Sequence, residues 1–548
     1  MGGGTSLWAS PDWKKDPAEI FNGRLAYLVC AVAWAGCAYG FDQGNIGGVL
    51  TLPSFRTAFG LDELDQKAQD NREGNIAAMI AAGGAGGALL AAPCADFLGR
   101  KKSMILWAFI FIVGASMQEI ADLGVFYAGR LLSGLSIGAT SMLAPQYLGE
   151  NSPKSVRGSL TAFYNLMIVM SLCLAFWVNY GVGRWKGNQS ENNLQWKLAM
   201  AIQIIPGGFM FLMMFFVIDT PRALIANGKR EKGLENLCKL RGLSSDHPYV
   251  REEFLEVSAQ VDAQLELAAG NNYKQVIKDI FLIASNRRRF FLASMLFLFH
   301  KFTGTDSLNY FAPEIFQMIG VQKGSLSLLT TGVYGLVKLV MTVLYVGFII
   351  DRVGRRRPLI IGALLQATAM LYIGLYVRFG HPSATNGTEA GGIVGIIWIY
   401  IYAAGWSIGW SVAPYVVAAE VFPSRIRSVS MSWCFFLNWI VDYALTRATP
   451  SMMTNLGYGT FLLYACLTYI GAGFVYITLP EMKGRSIESM DDLFQRSLWT
   501  MWKNAYPTED EKVRHGVHEI VAHSKAVDME MAGVDGKTEH SENIQARV

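Results

Sequence analysis

The stretch FHKFTGTDSLNYFAP, residues 299–313, places an imidazole, an ammonium and a carboxylate at the end of an otherwise apolar segment. His300, Lys301 and Asp306 lie within seven residues there, directly after the run FFLASMLFLF that begins at Phe290. A charged side chain at the centre of a bilayer costs on the order of 2.5–3.5 kcal/mol on insertion scales, so such residues usually line a cavity or a pathway. We therefore expect these three side chains to face a polar route through a membrane.

The rest of the chain has the composition of a polytopic membrane protein. Its 548 residues are 52% hydrophobic and only 16% charged, with a mean hydropathy of +0.28, whereas a soluble protein has about 25% charged residues. Apolar stretches of about 20 residues, long enough to span a bilayer, fall into two groups of six. They lie at 25–50, 75–98, 104–120, 126–148, 158–180 and 196–218, and at 290–311, 326–350, 358–378, 392–417, 428–447 and 459–480. The sequence predicts an all-α membrane protein of twelve transmembrane helices in two six-helix halves.

The basic residues predict the orientation of these helices. They gather in GRKKS, SPKSVRG, DRVGRRRP and PSRIR, after the second, fourth, eighth and tenth apolar stretches. By the positive-inside rule this side is the cytoplasm, and both termini then lie there too. The sequons at Asn188 and Asn386 fall in loops on the opposite side, where glycosylation is expected to occur if either is used.

A polar segment between the two groups predicts short amphipathic helices on the cytoplasmic side. The predicted organisation is a cytoplasmic amino-terminal tail (1–22), a first six-helix bundle (23–218), cytoplasmic linker helices (219–289), a second six-helix bundle (290–480) and a cytoplasmic carboxy-terminal tail (481–548).

The two predicted halves repeat a pattern of acids and bases at their helix ends. The motifs D-x-x-G-R and E-x-x-P-x-x-x-R each occur once in either half. An orientation signal explains the basic residues, but it does not explain acids at the same offset twice. Parallel six-helix repeats with a binding site between them are a known transporter design, so we expect these side chains to close and open a cytoplasmic gate as the halves rock. The predicted gate consists of Asp96, Arg100, Glu150, Arg157, Asp351, Arg355, Glu420 and Arg427.

Three segments resemble the sugar porter family of the major facilitator superfamily. They are LSGLSIGATSMLAPQYLGENSPKSVR (132–157), TPRALIANGKREKGLENLCKLRG (220–242) and PEMKGRSIESMDDLF (480–494), the last with Met482 where the family usually has Thr. The resemblance extends over roughly residues 20–494. It implies a twelve-helix fold that works by alternating access around a central polar site.

The same resemblance implies a proton-coupling pair. Asp42 is the only acid of the first apolar stretch, within YGFDQGNIGG. In proton-coupled sugar porters an Asp at the matching position titrates and faces an Arg at the start of the fourth helix, which matches Arg130 here. The alternative is a static ion pair that never changes its protonation.

The positions that match the family's sugar contacts carry unusual charges. The seventh helix of neutral-sugar porters typically has Gln-Gln and then Asn, and this chain has His300, Lys301 and Asp306 there. Ammonium groups near the cavity suggest a ligand with a carboxylate, because charge-assisted hydrogen bonds are roughly twice as strong as neutral ones. The predicted substrate site comprises these three residues with Asn165, Asn309, Lys338, Trp410, Tyr415, Asn438 and Asp442.

The prediction is a proton-coupled symporter that imports a sugar acid, a hexuronate such as D-galacturonate, across the plasma membrane. If Lys301 and Lys338 instead pair with Asp306 or Asp442, the cavity is neutral and suits an ordinary hexose or pentose. A quinate transporter and a non-transporting sugar sensor of the same fold are further alternatives. The sequence has no nucleotide-binding loop, metal-ligand cluster or nucleophile–base pair, so we expect no enzyme, no cofactor, no metal ion and no nucleic-acid partner.

Overall fold

The computed structural model of the chain describes residues 16–153, 155–185, 193–269, 273–322, 324–349, 353–382, 388–482, 493–495, 497–504 and 506. Four of the sequence predictions lie wholly or mostly outside these ranges: the two sequons at Asn188 and Asn386, the gate residue Asp351, and most of the carboxy-terminal tail.

Every regular element in the described part is a helix. The first half contains Gly23–Leu50 (α1), Pro53–Ala58 (α2), Gln66–Leu98 (α3), Arg100–Met117 (α4), Leu123–Asn151 (α5), Arg157–Gly183 (α6), Leu194–Ala201 (α7) and Ile204–Met214 (α8). The segment between the halves contains Pro221–Ala226 (α9), Arg230–Arg241 (α10), Pro248–Ala269 (α11) and Tyr273–Leu282 (α12).

The second half repeats the arrangement of the first. It contains Ala284–Phe302 (α13), Thr305–Met318 (α14), Ser325–Leu344 (α15), Arg356–Gly380 (α16), Ala390–Gly405 (α17), Ala413–Val421 (α18), Ser424–Leu456 (α19) and Tyr458–Thr478 (α20). Two π-helical segments, Tyr345–Ile349 and Trp406–Trp410, extend α15 and join α17 to α18, and a 3₁₀ segment at Leu498–Asn504 follows.

A helix lies in each of the twelve apolar stretches. Eight helical segments are long and apolar enough to cross a membrane on these criteria alone. Others carry charges that lower their hydropathy, such as the three basic residues that begin α4 and the four charged residues along α19. The all-helical class is therefore observed, while the count of twelve spans and the domain boundaries stay predictions.

Small residues allow the helices of the first half to pack closely. A Cβ atom on Gly83 would lie 2.1 Å from the carbonyl oxygen of Leu131, and one on Gly138 would lie 2.1 Å from that of Gly84. Helices α3 and α5 thus touch backbone to backbone, as is common for helices packed in a bilayer.

The linker helices mark one end of the bundle, here called the linker end. The side-chain amide of Asn22, just before α1, donates to the carbonyl oxygen of Leu240 (2.9 Å), and Arg24 donates to that of Lys239 (2.9 Å). The opposite end, where α1 finishes and α3 begins, is called the distal end.

The two halves meet in the middle of the bundle and at the distal end. A Cβ atom on Gly47 of α1 would lie 2.2 Å from the carbonyl oxygen of Tyr310 in α14. Similarly, Gly74 of α3 lies against the backbone of Arg447 in α19, whose guanidinium donates to Asn71 (3.1 Å). In this structure the distal end is closed by direct contact between the halves.

Candidate functional site

A break in the helix at residues 303–304 positions the charged residues singled out in the sequence. Gly304 has a φ of +82°, a left-handed conformation that favours glycine because it has no Cβ. The hydroxyl of Tyr402 donates to the carbonyl oxygen of Thr303 (2.8 Å) and shares a hydrogen bond with Thr305 (2.9 Å). The break is therefore held by side chains of a neighbouring helix.

The charges on either side of the break match the two helix ends. His300 and Lys301 lie in the last turn of α13, and Asp306 lies in the first turn of α14. A cation near a carboxy-terminal helix end and an anion near an amino-terminal end are each stabilised by the helix dipole. The sequence thus places a base and an acid face to face, inside the protein.

Lys301 forms ion pairs with two acids. Its Nζ lies 2.6 Å from Oδ2 of Asp306 and 3.1 Å from Oδ2 of Asp442. The remaining oxygen of Asp306 accepts from the amide of Gln43 (2.7 Å) in the other half, and Thr446 donates to Oδ1 of Asp442 (3.0 Å). We call Asp306, Lys301 and Asp442 the triad. With the Lys301 side chain only 2% exposed, this ammonium is fully engaged by the protein.

Lys338 is held quite differently. Its Nζ donates to Oδ1 of Asn309 (2.9 Å) and lies 3.9 Å from the ring centroid of Trp406. Tyr334, one helical turn before it, also donates to Asn309 (3.2 Å). Within the described ranges no carboxylate lies within 4 Å of this ammonium. Because Asn309 follows Asp306 by one helical turn, Lys338 borders the triad.

The other predicted contact residues border the same region. The rings of His300 and Tyr415 meet edge to face with centroids 5.7 Å apart, and Asn438 lies beside both. Among the described residues, neither ring nitrogen of His300 has a well-formed hydrogen-bond partner. Asn165, which is partly exposed, donates to the hydroxyl of Ser411 across the two halves (3.0 Å). These polar groups offer donors and acceptors to a hydroxylated ligand.

Trp410 is the predicted contact residue that the structure places elsewhere. Its indole nitrogen donates to the carbonyl oxygen of Leu359 (3.0 Å), and the ring packs within the second half. Trp406 lies beside Lys338 instead. The π-helical segment Trp406–Trp410 explains the difference, since its wider turn rotates residues away from the positions that an α-helix would give them.

The sequence analysis missed several residues of the site, among them Trp406, which lies over Lys338, and Gln43, which binds Asp306. Trp406 lies one turn from the tryptophan that was chosen, so only the local helix type separates them. Gln43 directly follows Asp42 in YGFDQGNIGG. Its position beside an acid of α1 was an available signal, but its partner Asp306 is 263 residues away.

Asp42 and Arg130 form a separate, fully buried pair. The Nη1 of Arg130 lies 2.5 Å from Oδ1 of Asp42, and both side chains are 0% exposed. The guanidinium also donates to the carbonyl oxygens of Ile76 (2.9 Å) and Ala77 (3.2 Å). One acid is thus matched by one base, and coupling to protons at this pair stays a prediction.

In each half, a gate arginine lies close to a gate glutamate. At the linker end, Arg100 lies 3.4 Å from Asp96 and 3.5 Å from Glu150, and Arg355 lies 3.0 Å from Glu420. Among the described residues, no ion pair joins one set to the other. Such separation is what an open linker end would show.

The turns that carry the gate arginines are also repeated. Gly99 and Gly354, which precede them, have φ values of +84° and +85°. The two remaining gate arginines are exposed: Arg157 begins α6, and Arg427 donates to the carbonyl oxygen of Phe422 (3.0 Å). Neither forms an ion pair with an acid in the part of the chain described here.

The central cluster is balanced in formal charge, but one of its two ammonium groups lacks a direct acid partner among the described residues. Two ammonium groups and two carboxylates sum to zero, and Lys338 has no acid as a direct partner in the described structure. Over the same ranges, no group of three or more His, Cys, Asp or Glu side chains is arranged to hold a metal ion. The chemistry available is binding and proton exchange.

Comparison with known proteins gives consistent matches over most of the chain. A family model described as "Sugar (and other) transporter" matches residues 28–494. The chain is 33% identical over 537 residues to a "Probable quinate permease" of Neosartorya fischeri, covering 96% of this chain and 98% of that protein. It is 34% identical over 498 residues to a "Quinate permease" of Emericella nidulans, with 90% and 92% covered.

The fold is similar to that of solved structures. The inward-open conformation of the xylose transporter XylE from E. coli superimposes with a TM-score of 0.70 at 24% identity, covering 86% of this chain and 99% of that one. A structure of the proton:xylose symporter XylE bound to 6-bromo-6-deoxy-D-glucose gives a TM-score of 0.70 at 23% identity, with the same coverage. At this level of identity the likeness shows a shared fold.

Proposed function

Because the chain belongs to the sugar porter family of the major facilitator superfamily, we propose that it imports a polyhydroxylated carboxylate of the quinate type by proton symport. Family membership makes the protein a membrane transporter and not an enzyme. The finer assignment concerns the substrate, the proton and the plasma membrane as the site of uptake.

The observation that carries the proposal is the ammonium of Lys338. It is buried between Asn309 and the ring of Trp406, and no carboxylate in the described structure pairs with it directly. An ammonium removed from water needs a counter-charge nearby. A carboxylate on the ligand would supply one through a charge-assisted hydrogen bond.

The neighbouring side chains suit the rest of such a ligand. Asn165, Asn438 and the hydroxyl of Ser411 can each exchange hydrogen bonds with substrate hydroxyls. The ring of Trp406, over which the ammonium of Lys338 lies, adds an aromatic group of the kind that packs against a carbon ring. One carboxylate and several hydroxyls on a ring describe both quinate and the hexuronates.

Quinate comes first among these acids because the relatives named above are called quinate permeases and match nearly the whole chain. D-galacturonate, predicted from the sequence, remains the second acid to test. Proton coupling is supported by the buried Asp42–Arg130 pair and by the need to move an anion against an interior-negative potential, which opposes each charge by about 2.3 kcal/mol per 100 mV.

A neutral sugar is the second candidate, and one observation favours it. Lys301 is clamped by Asp306 and Asp442, as the alternative drawn from the sequence required. The central cluster as a whole is then neutral. Only the ammonium of Lys338 then favours an acidic substrate over a neutral sugar.

Competition for uptake into proteoliposomes tests the proposal. The purified full-length protein would be reconstituted, a pH gradient imposed, and labelled quinate offered with an excess of unlabelled galacturonate, glucose or xylose. We expect quinate to accumulate and galacturonate to compete, with little effect of the neutral sugars. Accumulation of glucose or xylose without quinate uptake would establish the neutral-sugar alternative, and no uptake of any of the four would favour a sensor.

A further inference from the structure

We infer that the triad Asp306–Lys301–Asp442 is a second proton-binding site, which takes up one proton when the substrate carboxylate occupies Lys338. This inference rests on the proposed function, since it requires an anionic substrate. It assigns the triad a role distinct from that of the Asp42–Arg130 pair.

The charges of the site impose this coupling. In the triad, two carboxylates share one ammonium and leave one negative charge in excess. Lys338 balances that excess from the adjoining position on Asn309. When a substrate carboxylate claims Lys338, the site gains a negative charge that no described base balances. A buried, unbalanced charge costs several kcal/mol, so binding of the anion and of a proton must favour one another.

The geometry identifies where the proton goes. Each acid of the triad has one oxygen on Lys301, and the other accepts from a neutral donor, either Gln43 or Thr446. Lys301 can satisfy one carboxylate fully when the other is protonated. Once the substrate carboxylate takes the charge of Lys338, each of the two carboxylates disfavours the ionised form of the other, so that the pair binds one proton between them.

The groups that face the triad leave one other candidate acceptor. Phenol groups approach it from six helices: Tyr39, Tyr310, Tyr334, Tyr402, Tyr415 and Tyr464. Phenols are already protonated at physiological pH. His300 and Lys338 are the remaining titratable neighbours, and Lys338 as an ammonium has no free position for a further proton. A proton on His300 would create a cation directly beside the ammonium of Lys301, whereas a proton on a carboxylate removes the excess charge at its source.

The Asp42–Arg130 pair differs from the triad in its balance of charge. It contains one acid and one base, and the guanidinium is further bound to two backbone carbonyl oxygens of α3. Its charge does not change when substrate binds at Lys338. Loading of both sites would therefore carry two protons with each anion, and transport would move one net positive charge inward.

Proton uptake on binding provides the test. The full-length protein in detergent would be titrated calorimetrically with quinate, at a series of pH values, in two buffers of different ionisation enthalpy. The difference in heat between buffers gives the number of protons taken up per quinate bound. We expect uptake that approaches one proton from the triad, and a Kd that rises about tenfold per pH unit where the free triad is unprotonated.

Variants locate the proton. Asp42→Asn should still take up a proton from the triad for each quinate bound. His300→Gln should do the same per quinate bound, even where its affinity falls, because His300 belongs to the predicted substrate site. Whichever of Asp306→Asn and Asp442→Asn binds quinate should do so without this proton, because an amide cannot accept it. Folding of each variant would be checked by size-exclusion chromatography and thermal melting.

The possible outcomes separate the two ideas. Quinate binding by the unsubstituted protein without proton uptake at any pH would overturn the inference alone. Loss of all proton uptake in Asp42→Asn or in His300→Gln would also overturn it, by moving the proton elsewhere. Binding of xylose but not of quinate would overturn the proposed function, and this inference with it.

Discussion

Replacement of Lys338 by glutamine tests the substrate assignment most directly. Glutamine keeps much of the length of the side chain and can still donate to Asn309, but it has no charge. The lost interaction is a hydrogen bond between an ammonium and a carboxylate, which contributes about 1.5–3 kcal/mol. We therefore expect the Kd of quinate to rise roughly 10- to 150-fold, since 1.4 kcal/mol corresponds to a factor of ten.

The matched ligand is the amide of quinic acid, which has the same ring and hydroxyls but no charge. Binding of both ligands would be measured by titration calorimetry on the purified protein and on Lys338→Gln. The amide should lose less affinity than the acid, because it has no negative charge and its hydrogen bond to the ammonium lacks the attraction between two opposite charges. Equal weakening of the acid and the amide would refute the assignment of the carboxylate to Lys338.

Two further variants complete this experiment. Trp410→Phe, which removes a donor to the carbonyl oxygen of Leu359, should leave the ratio of the two affinities unchanged. Lys301→Gln should instead destabilise the protein by about 3–5 kcal/mol, because it leaves two buried carboxylates without their counter-charge. Any loss of binding that Lys301→Gln causes by destabilising the fold would affect the acid and the amide alike.

Three other substitutions address coupling, closure and the linker. Asp42→Asn should lower the accumulation of quinate and make it insensitive to the membrane potential, because only the proton of the triad then accompanies the anion, while counterflow exchange persists. Unchanged accumulation would exclude a coupling role for this acid. Gly47→Ala should block transport but not folding, because its Cβ would lie 2.2 Å from a carbonyl oxygen of α14 across the interface between the halves. Gly181→Ala, whose Cβ would have no atom within 4 Å, is the control. Equal transport by both variants would contradict closure at this contact. Arg241→Ala should destabilise the protein by about 3–5 kcal/mol, because it breaks a buried ion pair with an N–O distance of 2.6 Å. Lys239→Ala on the same helix breaks an exposed ion pair and should leave the melting temperature unchanged.

Local signals in the sequence were enough to predict much of the architecture. Long apolar stretches predict helices wherever they occur, and the structure has a helix at each of them. The repeated acid–base motifs likewise predicted pairs at equivalent positions, which appear as Arg100–Glu150 and Arg355–Glu420. Both features depend on residues within one half, and the repeat places the corresponding residues of the other half in the same arrangement.

The identity of the unpaired ammonium could not be predicted in the same way. Lys301 and Lys338 look equivalent as isolated charges in apolar helices. Their difference arises from Asp442, which is 141 residues from Lys301 and reaches it only through the packing of α13 against α19. That Trp406 and not Trp410 lies beside Lys338 likewise depends on a π-helical turn, which the sequence pattern does not predict.

The ratio of acids to bases in the two buried clusters has a consequence for energy coupling. With one proton per anion, transport is electroneutral and only the pH gradient drives accumulation. A second proton, held by the triad, adds a net positive charge, and the membrane potential then contributes about 2.3 kcal/mol per 100 mV. That is roughly a fiftyfold greater accumulation of the acid at equilibrium for each 100 mV. Measurement of quinate uptake at clamped potentials, set with potassium and valinomycin, therefore separates the two schemes. Uptake that does not respond to an interior-negative potential would exclude the second proton. If Asp442→Asn retains uptake but loses the response to the potential, the second proton is bound by the triad.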